Sequence, residues 1–157
     1  MTATKVIGES VKQTNRTFIK SYVNDYADAI TENYRRYHLN TLNGNLHCNY
    51  PEYAREQLDA IENGTANLMK FKVYSGKRYY KIVQQEFETW EKSRYYGQYR
   101  DSSVHCFVDK ETGDVYKPAS WSAPAKHIRF TFQNVDHLKF LLNPDNVDWA
   151  GGYLYLR

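Results

Sequence analysis

At Met69 the spacing of apolar residues changes from steps of three and four to steps of two, and that switch limits the chain to helices first and sheet afterwards. Before it, between about residues 14 and 39, Phe18, Tyr22, Tyr26, Ala29, Ile30, Tyr34 and Tyr37 recur along one side of a helix. Lys20, Asp28, Glu32 and Arg36 fall mostly opposite, so the expected element is an amphipathic helix lying on the core. A stripe so rich in Tyr is also suited to pairing with a second copy or a host protein. LNGN (Leu42 to Asn45) is expected to close this helix, with Asn49 as the N-cap of a second one that has Pro51 in its first turn. Tyr53, Ala54, Gln57, Leu58 and Ile61 form the apolar side of that helix, and Asn63-Gly64 ends it.

After the switch, Met69, Phe71 and Val73 alternate with Lys70 and Lys72 as in a strand with one buried face. Ser75-Gly76-Lys77 turns the chain into RYYKIV, where Tyr80 and Ile82 share a face. VHCFVDKETGDVYK (Val104 to Lys117) predicts a second hairpin with a bulged turn at Gly113, and HIRFTF (His127 to Phe132) a further strand. Asn134 is placed to cap a short helix, and the chain is expected to finish on a strand from Tyr153 to Leu156. The reading is α+β: one domain, residues 1–157, with a mainly antiparallel sheet of five to six strands covered by two N-terminal helices and one short C-terminal helix.

Charge is distributed unevenly. Residues 66–100 hold eight Lys/Arg against three Asp/Glu, whereas the flanking thirds are close to neutral. A partner responds to such a patch more than to the net charge of +3. In the patch, Lys70, Lys72, Lys77, Arg78, Lys81, Arg94 and Arg100 interleave with Tyr74, Tyr79, Tyr80, Tyr95, Tyr96 and Tyr99. Cations suit phosphates and phenol rings suit unpaired bases, so the candidate nucleic-acid contacts are Lys70, Lys72, Tyr74, Arg78, Tyr80, Arg94, Tyr95, Tyr96 and Arg100. The competing account is a solvated outer sheet face, where Lys guards against edge pairing and Tyr has high strand propensity. In the proline-stiffened loop KPASWSAPAK, Trp121 is either a plug over the sheet or a partner-binding anchor.

Other chemistries have weaker support. His47-Cys48 and His105-Cys106 together would supply a Cys2His2 set, but their spacing is not that of structural zinc sites, and no metal is assigned. Cys106 reads instead as a small buried hydrophobe aligned with Val104 and Val108. His105, Asp109, Asp114, His127 and Asp148 lack an accompanying nucleophile elbow, phosphate loop or paired-carboxylate motif, so no catalytic residue and no cofactor is assigned. With only two cysteines, no apolar run long enough for a membrane span and no signal-peptide pattern, the expected setting is a reducing cytoplasm.

Two strings, SVHCFVDKETGDVYKPASWSAPAK (Ser103 to Lys126) and DWAGGYLY (Asp148 to Tyr155), resemble a group of small tailed-phage proteins of marine and cyanobacterial phages. The resemblance implies no activity. Its implication is context: a protein made in an infected bacterium, acting in its cytoplasm or packed into the virion.

Overall fold

A computed structural model describes residues 3–156, with side chains described from Asn15 onward. Helix α1, Ala3–Asn45, is followed by α2, Glu52–Glu62. Five strands come next: β1 Lys70–Ser75, β2 Tyr79–Phe87, β3 Tyr99–Asp109, β4 Asp114–Tyr116 and β5 Phe130–Thr131. Helix α3, Val135–Leu141, and one 3-10 turn, Gly152–Leu154, complete the described chain. The strands form one antiparallel sheet in sequence order, β1-β2-β3-β4-β5, so each connection joins neighbours. No helix among the described residues is long and apolar enough to cross a membrane.

One face of the sheet is covered. Phe71, Tyr80, Ile82, Cys106, Val108 and Val115 pack beneath Ile19, Val23, Tyr26, Ala27 and Ile30 of α1, with Phe132, Leu141, Val147 and Leu154 closing the sides. The buried stripe of α1 is therefore rotated from the one the tyrosines suggest. Phe18 and Tyr37 stand exposed, while Ile19, Val23 and Ala27 take positions in the core. Ile19, Val23 and Ala27 have no polar side-chain atom to satisfy on burial, and Tyr26 enters because its hydroxyl finds a buried partner. Edge-to-face contacts from Tyr22 and Tyr26 onto Phe132 fill the end of this layer.

Two irregularities in the β2–β3 ladder decide which side chains face out. Ile82 pairs with Cys106 but Val83 with Val104, and Gln84 pairs with Ser103 but Gln85 with Asp101. His105 and Ser102 are thus extra residues in β3, and each bulge resets the alternation. Cys106 consequently faces α1, whereas Val104 pairs with Val83, which is buried on the opposite face of the sheet, so the expected alignment of Cys106 with Val104 is corrected.

Several boundaries differ from expectation for local reasons. Helix α1 runs through Leu42 to Asn45, and Leu46 N–H bonds back to the Leu42 carbonyl. Pro51 rather than Asn49 is the N-cap of α2, its carbonyl accepting from Arg55. Ala54 is the one buried residue of α2. The expected C-terminal strand is a 3-10 turn, because Gly151 at φ 86° swings the chain round and Leu154 bonds to the Gly151 carbonyl. As predicted, Asn134 caps α3 by accepting from the N–H groups of Asp136 and His137.

Candidate functional site

The second face of the sheet carries no helix across β1 and β2. Lys70, Lys72 and Tyr74 alternate with buried Phe71 and half-buried Val73, and so project outward together. Tyr74 pairs with Lys81, and Lys81 in turn with Phe107, which pairs with Tyr116. Tyr74, Lys81, Phe107 and Tyr116 therefore share one face across four strands, where Phe107 is buried and the other three are half-exposed. Tyr79 packs edge-on against Phe107 at 5.9 Å and Tyr116 at 6.1 Å. Lys72 Nζ lies 4.8 Å from the Tyr74 ring centroid, and Arg78 5.2 Å from that of Tyr79.

Trp121 reaches this row from the loop after β4. Pro118 and Pro124 bridge across the base of that loop, Ala125 N–H bonds to the Lys117 carbonyl at 2.7 Å, and Ser120 Oγ accepts from Ser122 and Ala123. Lys81 Nζ donates to the Trp121 carbonyl at 3.0 Å and sits 4.4 Å from its ring centroid. Trp121 remains 46% exposed, so it is an open ring with one side occupied by a cation. Between Trp121, Tyr79, Phe107 and the turn at Gly76–Arg78 lies a groove of about 430 Å³. Asp101 lines its far side, its carboxylate accepting from the Tyr74 hydroxyl at 2.9 Å and from Gln85 Nε2 at 2.8 Å.

The nine residues singled out in the sequence do not form one surface. Lys70, Lys72, Tyr74 and Arg78 lie on or beside the open face. Tyr80 does not: it is 9% exposed and belongs to the core under α1, with Lys110 Nζ 4.9 Å from its ring centroid. Its place outside is taken by its neighbours Tyr79 and Lys81. Arg100 is paired off on the covered side, donating to Glu88 at 2.8 Å and reaching Glu86 at 3.4 Å. A backbone hydrogen bond from Trp90, helped by Arg100, holds the Glu88 carboxyl below its ordinary range. Arg94, Tyr95 and Tyr96 sit in the β2–β3 loop, where Arg94 stacks on and bonds to Tyr95. That loop lies at the opposite end of β2 from Arg78, about 30 Å away at the usual rise per strand residue.

A separate polar cluster is sealed inside. Tyr26 and Tyr153 hydroxyls are 2.5 Å apart, and Tyr153 also meets His105 Nε2 at 2.7 Å. Burial pushes His105 down to about 4 and the Cys106 thiol up to about 12, and raises Tyr26 and Tyr153 well above their ordinary value. Every buried side-chain nitrogen and oxygen among the described residues has a partner. Such a satisfied, neutral network suits a structural tie. The two His-Cys dipeptides have different surroundings: Cys48 is exposed after α1, and Cys106 is buried mid-sheet.

Residues 6–156 match the profile of a family described as a family of unknown function (DUF7717). The chain belongs to that family. No curated protein and no solved structure matches it. The family assignment spans α2, the sheet, α3 and nearly all of α1, so it includes every residue of the open face.

Within that face, Tyr79 and Lys81 were detectable from strand parity, since placing Tyr80 and Ile82 inward puts them outward. Phe107, Tyr116 and Asp101 were not, because their positions depend on the cross-strand register and on the two bulges in β3.

Proposed function

We propose that this protein is a non-enzymatic nucleic-acid-binding accessory protein whose contact surface is the open face of β1, β2 and β3. The observation that carries this reading is the convergence of Tyr74, Lys77, Arg78, Tyr79, Lys81 and Trp121 around one groove on that face, with Lys72 beside it against the Tyr74 ring. Amines and a guanidinium supply counter-charge for phosphates, and half-exposed rings supply stacking area. Lys70, 4.0 Å from the Tyr99 ring centroid, extends the cationic track along β1. Arg94, Tyr95 and Tyr96, exposed at the far end of β2, give a longer strand a second place to touch. The likeness of its hairpin and C-terminal strings to tailed-phage proteins makes an infected bacterial cytoplasm the natural setting, with a place in the virion as the alternative.

Docking through the tyrosine stripe of α1 has less to offer. Tyr26, Ala29 and Ile30 from the middle of that stripe are already committed to the core, which leaves Phe18 and Tyr37 exposed near its ends.

The test is a salt titration of oligonucleotide binding. Affinity should fall linearly with salt on logarithmic axes, and neutralising Lys70, Lys72 and Arg78 together should flatten the slope by about 2 for a single strand. Binding that ignores salt, or a slope the triple variant leaves unchanged, would sink the proposal.

A further inference from the structure

Resting on the nucleic-acid reading above, we infer that the groove beside Trp121 is a slot for one unpaired base, so that the ligand is single-stranded and lies with its phosphates toward the Gly76–Arg78 turn. At about 430 Å³ the groove is within the size range of small-molecule sites, roughly 300–1,000 Å³. A paired base, stacked inside a duplex, cannot enter such a slot, whereas a single strand turns its bases out onto aromatic walls.

The walls are prearranged for that role. Tyr79 is fixed by its edge contacts with Phe107 and Tyr116, and Trp121 is held at the tip of a loop bonded to itself and to Lys81. Rings already immobile lose little freedom when a base stacks on them.

Electrostatics give the slot a direction. Lys77 and Arg78 stand at the turn end, and the Arg78 side chain is 72% exposed although Nε lies 3.5 Å from Asp109. The opposite side carries Asp101, an acceptor-only carboxylate oriented by Tyr74 and Gln85. A phosphate is attracted to the first and repelled by the second, whereas the N–H donors of a base edge are attracted to Asp101. Sugar and phosphate therefore lie toward Arg78, and the base points toward Asp101.

Fluorescence anisotropy with three labelled probes tests this: a mixed-sequence strand of about 12 nucleotides, the same length as a duplex, and a strand of abasic sites with equal phosphates. The base-bearing strand should bind more tightly than the duplex. Trp121→Ala should weaken the base-bearing strand about tenfold and leave the abasic strand and the salt slope unchanged, with Trp121→Phe retaining most of the affinity. Because the ring is half exposed and the loop is held by backbone bonds, both variants should keep the wild-type thermal transition. Equal binding of strand and duplex, or a Trp121→Ala loss shared by the abasic probe, would overturn the slot while leaving a basic surface. No binding of any probe at low salt would overturn the nucleic-acid reading itself.

Discussion

The Tyr153 hydroxyl stands 2.7 Å from His105 Nε2 and 2.5 Å from the Tyr26 hydroxyl, so a single phenol ties β3 and α1 to the C-terminal segment. Tyr153→Phe removes only the oxygen and leaves both partners buried without it. The expected loss is about 1–3 kcal/mol, the usual range for stranding a buried polar group, read from urea denaturation. Wild-type stability in that variant would mean the cluster contributes nothing to holding the termini of the fold together.

His105 carries a pH dependence whose sign follows from its surroundings. Burial lowers its native pKa to about 4, with Asp148 and a backbone hydrogen bond at Trp149 opposing part of the effect. The unfolded chain, near the ordinary value of 6.5, binds a proton over the window between these values that the native state does not. Stability contributed by neutral His105 is therefore complete above about pH 6.5 and is lost on acidification toward 4, by up to ~1.4 kcal/mol per pH unit. His105→Gln should make the stability profile shallower between pH 6.5 and 4 and leave its slope above pH 7 unchanged.

Gly113 has φ 73°, and a Cβ there would sit 3.0 Å from Cβ of Phe132. Gly113→Ala then combines left-handed strain of about 1–2 kcal/mol with pressure on a core ring, and should lower the melting temperature clearly. Gly64 also has positive φ, but open space surrounds the position of its missing Cβ, so Gly64→Ala should cost only the backbone part. Equal losses in the two variants would contradict the close approach at Phe132.

The cysteines should separate in a thiol-reagent titration. Cys48 is exposed, whereas Cys106 is buried and its thiol is pushed up to about 12. One thiol should react quickly in the native protein and the second only as fast as the chain unfolds, and Cys48→Ser should abolish the fast phase. A rapid reaction of both would show that α1 does not seal the sheet.

Local signals carried much of this fold. The change of period at Met69, the Asn134 cap and the glycine of the 104–117 hairpin all report interactions within a few residues, and all reappear in the structure. What was hidden depends on contacts between distant segments. Asn33 donates to the Pro144 carbonyl and accepts from Trp149 N–H, both at 2.9 Å, yet in the sequence it is one polar residue on a helix. The bulge at His105 leaves no mark in the alternation of residues 104–108, so Cys106 was assigned the wrong neighbour. At the candidate site, Lys70, Lys72 and Tyr74 were legible from parity along β1, whereas Trp121 meets Lys81 only because the loop after β4 folds back over β2.

Face, rather than net charge, is the central claim, and two charge reversals of equal size separate them. Lys72→Glu with Lys77→Glu alters the open sheet face and the turn beside its groove, and Lys20→Glu with Lys139→Glu alters exposed positions on α1 and α3. Measured against one single-stranded oligonucleotide at fixed low salt, the first pair should lose affinity by at least about tenfold and the second by far less. Equal losses from the two pairs, or no loss from the first, would contradict a binding surface on β1 and β2.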